Sequence, residues 1–312
     1  MNRSSLYACI IGLFTVLFLG CNPGDQNKST GPLKIVCTTN IIADVVGEVV
    51  GDDAEISCLM GPGVDPHLYK ASQGDVALLT EADVIIYNGL HLEGKMAEIL
   101  EKLAKRKVVL AMADGNPNSA YLNLGPGSEL KDPHFWFDPD LWMNGLAHVS
   151  KELAAYDTAH AQNYLDRLEV YSSGIQLLAD SLHGLFDQLP ENNQLLVTSH
   201  DAFQYFSRAF GFDVLALQGI STVSETSLKE ISIAVNEVVE KKVPTVFIET
   251  SVSPQSIKAL VEGCKSKGHE VQIGQTLYSD AMGAPDSPAG SYEGMLSYNA
   301  KSIVKGLLLN NE

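Results

Sequence analysis

Three histidines and one aspartate stand in places where a side chain could do chemistry. His67 ends the segment Gly61-Pro62-Gly63-Val64-Asp65-Pro66-His67, and His134 ends a second Asp-Pro-His, Asp132-Pro133-His134. Proline disfavours helix at the residue before it and stiffens the loop, so each imidazole is displayed rather than folded into a helix. His200 follows the strand-like run Gln194 to Ser199, and Asp280 closes the run Val271 to Ser279. Three neutral imidazoles and a carboxylate suit a divalent first-row metal, Zn²⁺ most naturally and Mn²⁺ as the alternative, since more oxygen donors would lean towards Mn²⁺. If all four bind one ion, no position stays open for water or substrate, which favours capture over catalysis. Asp65, Asp201 and Glu249 are candidates to orient the rings, in no order that the sequence sets. The plain alternative is that the Asp-Pro-His segments are ordinary turns, His200 a strand-end histidine and Asp280 a helix cap. His148, His160, His183 and His269 carry no motif, and His91 reads as a capping or packing residue before a helix.

To bring four such distant residues together the chain needs strands that end near one another. Leu33 to Thr38 (LKIVCT), Glu55 to Met60, Asp83 to Tyr87 (DVIIY) and Lys107 to Ala111 (KVVLA) read as strands. Helices fall between them at Ile41 to Val50, Ser72 to Ala82 (Ser72 as N-cap) and Glu93 to Leu103. Continuous apolar strands alternating with helices indicate a mainly parallel sheet covered on both faces. From Asp157 to Leu189 apolar residues recur in steps of three and four, at Tyr164, Leu168, Tyr171, Ile175, Leu178, Leu182, Leu185 and Leu189. The spacing predicts one long helix with Asp157 as N-cap and Pro190 as stop, roughly 45–50 Å long and able to tie two lobes together. Four more strands are expected beyond it, at Gln194 to Ser199, Asp213 to Gln218, Thr245 to Glu249 and Glu270 to Leu277. Helices are expected at Ala202 to Phe210, Ser227 to Lys241, Pro254 to Ser266 and Tyr292 to Leu309. The fold class is therefore α/β: two lobes, each with a mainly parallel four-stranded sheet, spanning residues 33–156 and 190–312 around a linking helix at 157–189.

The 312 residues suffice for two domains, and 45% apolar against 19% charged residues excludes a disordered chain. With 21 basic against 38 acidic residues the chain does not suit nucleic acid; the acid surplus suits attraction of cations or simply solubility. Arg3 and the apolar run Leu6 to Gly20 read as a signal peptide over residues 1–20, and Phe18-Leu19-Gly20-Cys21 resembles a bacterial lipobox, with Phe18 where leucine is usual. Cys21 would carry the lipid and residues 21–32 form a polar tether, so the expected place is the cell envelope, on the periplasmic or extracellular face; an uncleaved anchor is the alternative. Of the five cysteines, Cys37, Cys58 and Cys264 remain after Cys9 and Cys21, an odd set without close spacing and no disulfide framework.

The segments GPGVDPHLY (61–69), NGLHLE (88–93), DPHFW (132–136), TSHDAF (198–203), YSDAMG (278–283) and SYEGMLSYN (291–299) together resemble the metal-binding lipoproteins of bacterial ABC importers, the zinc and manganese solute-binding family known as cluster A-I. The resemblance runs from about Leu33 to the C-terminus. It implies two α/β lobes joined by a rigid helix, a metal held between them by His67, His134, His200 and Asp280, and delivery to a membrane permease by a monomer. The third ligand position is histidine here, where many manganese-binding members have glutamate. The long His- and acid-rich loop of many zinc-specific members is absent, because Leu122 to Lys131 is short and holds no histidine. With one rigid helix between the lobes, small lobe movement is expected, with loop shifts around Asp280. The rivals are a metal-dependent hydrolase and a surface adhesin or receptor for a non-metal solute. No His-Glu-x-x-His, Gly-x-Ser-x-Gly or glycine-rich phosphate loop supports the enzyme.

Overall fold

The computed structural model describes residues 31–125, 127–190 and 194–308, so the expected signal peptide and the Cys21 lipid site lie outside the described residues. In the amino-terminal lobe the expected strands form as β1 (Leu33–Thr39), β2 (Ala54–Met60), β3 (Val84–Tyr87) and β4 (Val108–Ala111). They make one parallel sheet in the order β2-β1-β3-β4. Alternate residues of β1 face opposite layers: Ile35 and Cys37 join the main core, and Val36 packs with Met60, Leu79, Ile85 and Leu100. Helix α1 (Asn40–Val50) is capped by Thr39, and α2 (Gln73–Glu81) by Ser72 in a reciprocal capping box with Asp75. The third helix, α3 (Ala97–Ala104), starts four residues later than expected. Glu93 is not in it. Its buried carboxylate instead accepts Thr38 Oγ1 (2.7 Å) and the Asn88 amide (2.8 Å), and His91, at a φ of 64°, caps nothing.

A helix absent from the sequence expectations, α4 (Pro139–Tyr156), follows Asp138, whose carboxylate accepts the Leu141 amide. Asp-Pro at a helix start is a recognisable signal: an N-cap acceptor followed by a residue that has no N–H to satisfy. The expected 157–189 helix is shorter, α5 (Ala161–Phe186), 26 residues and about 39 Å. Asp157 does not cap it. The Asp157 amide belongs to the end of α4, donating to Leu153, and its carboxylate accepts His160 Nδ1 (2.7 Å) and the Tyr164 hydroxyl (2.8 Å). These bonds fix a four-residue corner at which the chain folds back from α4 into α5.

The carboxy-terminal lobe contains β5 (Leu195–His200), α6 (Gln204–Phe210), β6 (Asp213–Gln218), α7 (Leu228–Glu240), β7 (Thr245–Val246), α8 (Gln255–Ser266), β8 (Gln272–Ile273) and α9 (Tyr292–Leu307). The expected continuous four-stranded sheet is interrupted: β5–β6 and β7–β8 are two parallel pairs, joined by the Phe247 amide donating to Val197 (2.8 Å). The last two strands are short because the chain 274–277 carries one residue more than the chain 246–248 that it faces. Gly274 donates to Val246 and Leu277 to Ile248, after which pairing resumes between Glu249 and Leu277. Gly274 is required there, since a Cβ would lie 2.5 Å from the Phe247 ring.

The main core does not stop at the boundary between the lobes. It joins Ile35 and Val84 of the first sheet to Trp142, Tyr164 and Leu182 of the helical pair, and to Leu196, Phe247, Tyr292 and Ile303 of the second lobe. Helix α9 packs on α1 and α5 as well as on β5 and β7. The lobes are therefore held by a shared core as well as by α5, and the described residues from Pro32 onward make up one compact unit.

Candidate metal centre

The two Asp-Pro-His segments adopt the same local turn. Asp65 Oδ1 accepts the His67 amide (2.8 Å), and Asp132 Oδ1 accepts the His134 amide (2.9 Å). In each, an aspartate bridges over a proline that cannot donate and fixes the backbone of the histidine two residues on. His67 lies on the loop after β2, where Gly63 takes a φ of 71°. His134 leads into the buried turn Phe135–Phe137. His200 is the last residue of β5, and Asp280 follows the irregular stretch after β8. The ends of parallel strands, where backbone groups leave the ladder, are where α/β folds place ligands.

These four side chains are brought together. Each offers one donor atom, and the four atoms lie within 4.8 Å of one another. His67 Nε2 is 3.2 Å from His134 Nε2, and Asp280 Oδ1 is 3.4 Å from His134 Nε2 and 3.3 Å from His200 Nε2. Ligands held at about 2.0–2.1 Å around a tetrahedral ion would be about 3.3–3.4 Å apart, so these three edges match such a site. His200 Nε2 and Asp280 Oδ1 are buried and have no hydrogen-bond partner; their mutual contact is an ion pair without hydrogen-bond geometry. Buried polar atoms are rarely left so, and a cation between them would satisfy both. Exposure falls from 6% at His67 to 1% at Asp280 and none at His134 and His200.

Carboxylates fix the two inner rings. Asp132 Oδ1 accepts His134 Nδ1 (2.7 Å), and Glu249 accepts both the amide (2.9 Å) and Nδ1 of His200. With the proton on Nδ1, each Nε2 turns its lone pair towards the centre. Of the candidates to orient the rings, Glu249 does so at His200 and Asp65 holds the His67 backbone. Asp201 does not reach a ring; it accepts Gln204 Nε2 (2.7 Å). The sequence reading missed Asp132, although its Asp-Pro-His frame was a signal. It also missed Ser251, which donates to Asp280 Oδ2 (3.1 Å) and carries no motif, and Trp136, whose indole donates to the Ser279 carbonyl (3.0 Å) and whose place in DPHFW was the available signal.

Burial drives the His67 pKa down to about 3. It also pulls His134 down, but Asp132 and Asp280 outweigh it and raise that ring to about 9. At His200 the same opposition, against Asp280 and Glu249, ends well above the ordinary value. For Asp280 burial works upward, yet His200 and His134 hold its carboxyl well below the usual range. The centre is thus a set of groups whose charges depend on one another.

The profile of the periplasmic zinc-uptake complex component A (ZnuA) matches residues 35–306. The chain belongs to this family. It is 40% identical over 306 residues to the manganese-binding lipoprotein MntA of Bacillus subtilis, covering 98% of this chain and 99% of that protein. It is 38% identical over 309 residues to the zinc-binding protein TroA of Treponema pallidum, covering 98% and 99%. The solved structure of TroA superposes with a TM-score of 0.86 at 40% identity, over 89% of this chain and 99% of that one. The manganese ABC transporter substrate-binding lipoprotein PsaA of Streptococcus pneumoniae is 29% identical over 306 residues, covering 96% and 97%. A ZnuA-family chain is a solute-binding protein of metal uptake and not an enzyme, and the two-lobe α/β architecture is that of its relatives.

Proposed function

We propose that this ZnuA-family protein captures Zn²⁺ or Mn²⁺ as the transported ion with His67, His134, His200 and Asp280 and delivers it to the permease of an ABC importer. The observation that carries the reading is the convergence of four donors from distant parts of the chain, two of them buried atoms without hydrogen-bond partners. Between the two ions the donors favour Zn²⁺: three are imidazole nitrogens, and Asp280 Oδ2 already accepts Ser251, which leaves Oδ1 to face the centre. MntA and TroA are named for different ions, so the relatives do not decide it. The protein acts as a monomer on the extracytoplasmic face, held to the membrane by a lipid on Cys21 after cleavage of residues 1–20, with lobes at 33–156 and 190–312. Among the described residues no helix is long and apolar enough to cross a membrane.

Elemental analysis of protein purified from its native envelope should return one Zn²⁺ or Mn²⁺ per chain. Calorimetry with the same ion should show His200→Ala losing more than the roughly 10–100-fold in affinity that removing an outer partner of a ligand costs. Unchanged affinity in that variant would remove the four-donor reading.

A further inference from the structure

His67 is held unlike the other three donors. His134 and His200 each give Nδ1 to a carboxylate, and the stretch around Asp280 is pinned from several sides. Trp136 holds the Ser279 carbonyl, Ser251 holds Asp280 Oδ2, and Asn40 exchanges two hydrogen bonds with the Met282 backbone (3.1 and 3.3 Å). Shifts centred on Asp280, expected from the sequence, would have to break all of these. The His67 ring, by contrast, has only His134 Nε2 within hydrogen-bonding range among the described residues. Its place is set through the backbone, by the amide that donates to Asp65. The other Asp65 oxygen accepts the Thr222 hydroxyl (2.6 Å), 157 positions along the chain in the loop after β6. Thr222 is steadied in turn by Gln218, whose side-chain amide donates to its carbonyl (2.9 Å). Asp65, Leu68, Thr222 and Ser251 line a groove open to solvent on this side, and His67 is the most exposed of the four donors.

We propose that the Asp65–Thr222 hydrogen bond is a latch between the lobes that sets how fast the ion leaves. Breaking it lets the loop from Gly61 to Leu68 swing outward with His67 about Tyr69, whose hydroxyl stays on Asp75 (2.8 Å), while the three inner donors stay in place. Thr222 is a positioning residue: it touches no donor atom and acts on the ion through Asp65 and His67. The inference rests on the metal-binding reading above.

The test is stopped-flow release of Zn²⁺ to a chromophoric chelator from the full-length protein, its Thr222→Val and Thr222→Ser variants, and Thr222→Val combined with His67→Ala. Thr222→Val should speed release about tenfold, the worth of one hydrogen bond to a charged acceptor. Thr222→Ser, which keeps the hydroxyl, should stay within about twofold of the parent. In the His67→Ala background Thr222→Val should add nothing, because the latch has lost the ligand through which it acts. Should Thr222→Val misfold, as a metal-free melt would reveal, Thr222→Ala replaces it with the same expectation. Release from Thr222→Val at the parent rate, or an equal acceleration with and without His67, overturns the latch and leaves the metal site standing. A parent protein that takes up no Zn²⁺ or Mn²⁺ overturns both.

Discussion

Burial alone would strip the proton from every histidine in the centre, yet only His67 behaves that way. Asp132, Glu249 and Asp280 reverse the outcome at His134 and His200, so the metal-free centre holds protons that an incoming ion must expel. For His134 the ordinary value of 6.5 becomes about 9. A raised value in the folded state stabilises the metal-free protein fully below 6.5, and this contribution is lost as pH rises through about 9. Metal-free protein should therefore melt at progressively lower temperature over that interval, and metal-loaded protein should not share the decline. Zn²⁺ affinity should rise over the same interval, with about one to two protons released per ion, measured from the buffer dependence of the binding enthalpy. A pH-independent affinity between 6.5 and 9 would contradict this account. The four side chains that converge were legible in the sequence because proline frames and strand ends are local signals. The difference between the two Asp-Pro-His turns was not legible. One aspartate turns back to its own histidine ring and the other reaches Thr222, and that choice is made by what lies across the groove.

Among the secondary-structure elements, the strands and caps of the first lobe were readable because each depends on neighbours within a few residues, as at Ser72 and Asp75. The corner between α4 and α5 was not. Asp157 before an apolar period looks like an N-cap, but its amide already belongs to the preceding helix and its carboxylate braces the turn sideways. Asp157→Ala should lower unfolding stability by about 1–2 kcal/mol, the loss of two hydrogen bonds, as a shift in urea midpoint at constant slope. Zn²⁺ affinity should be unchanged, since the corner touches no donor. The shortened β7 and β8 were hidden for a related reason. Apolar alternation over 270–277 does not reveal that this chain carries one residue more than its partner, and the ladder breaks where the surplus falls.

For the molecule as a whole, two lobes with a site between them suggest a hinge, but the shared core argues for a stiff body. Opening the lobes as rigid halves would part Tyr292 from Trp136, whose carbonyl accepts the Tyr292 hydroxyl (2.7 Å), and α9 from α1. Solution scattering of metal-free and metal-loaded protein should accordingly give radii of gyration within about 1 Å of each other, unlike proteins that close by a hinge. A larger contraction on loading would show that the halves move as units. The two-lobe plan and the long helix were visible as periodicity in the sequence. The unity of the core was not, because which helix covers which sheet is decided by contacts between residues hundreds of positions apart.

Helix α9 has a consequence for how the chain folds. It lies far along the chain from the first strand, yet it supplies Tyr292, Met295, Leu296, Ile303 and Leu307 to the same interior. Without it, the first lobe would keep an oily flank uncovered. Both lobes therefore close over one interior together, with this helix as the keystone.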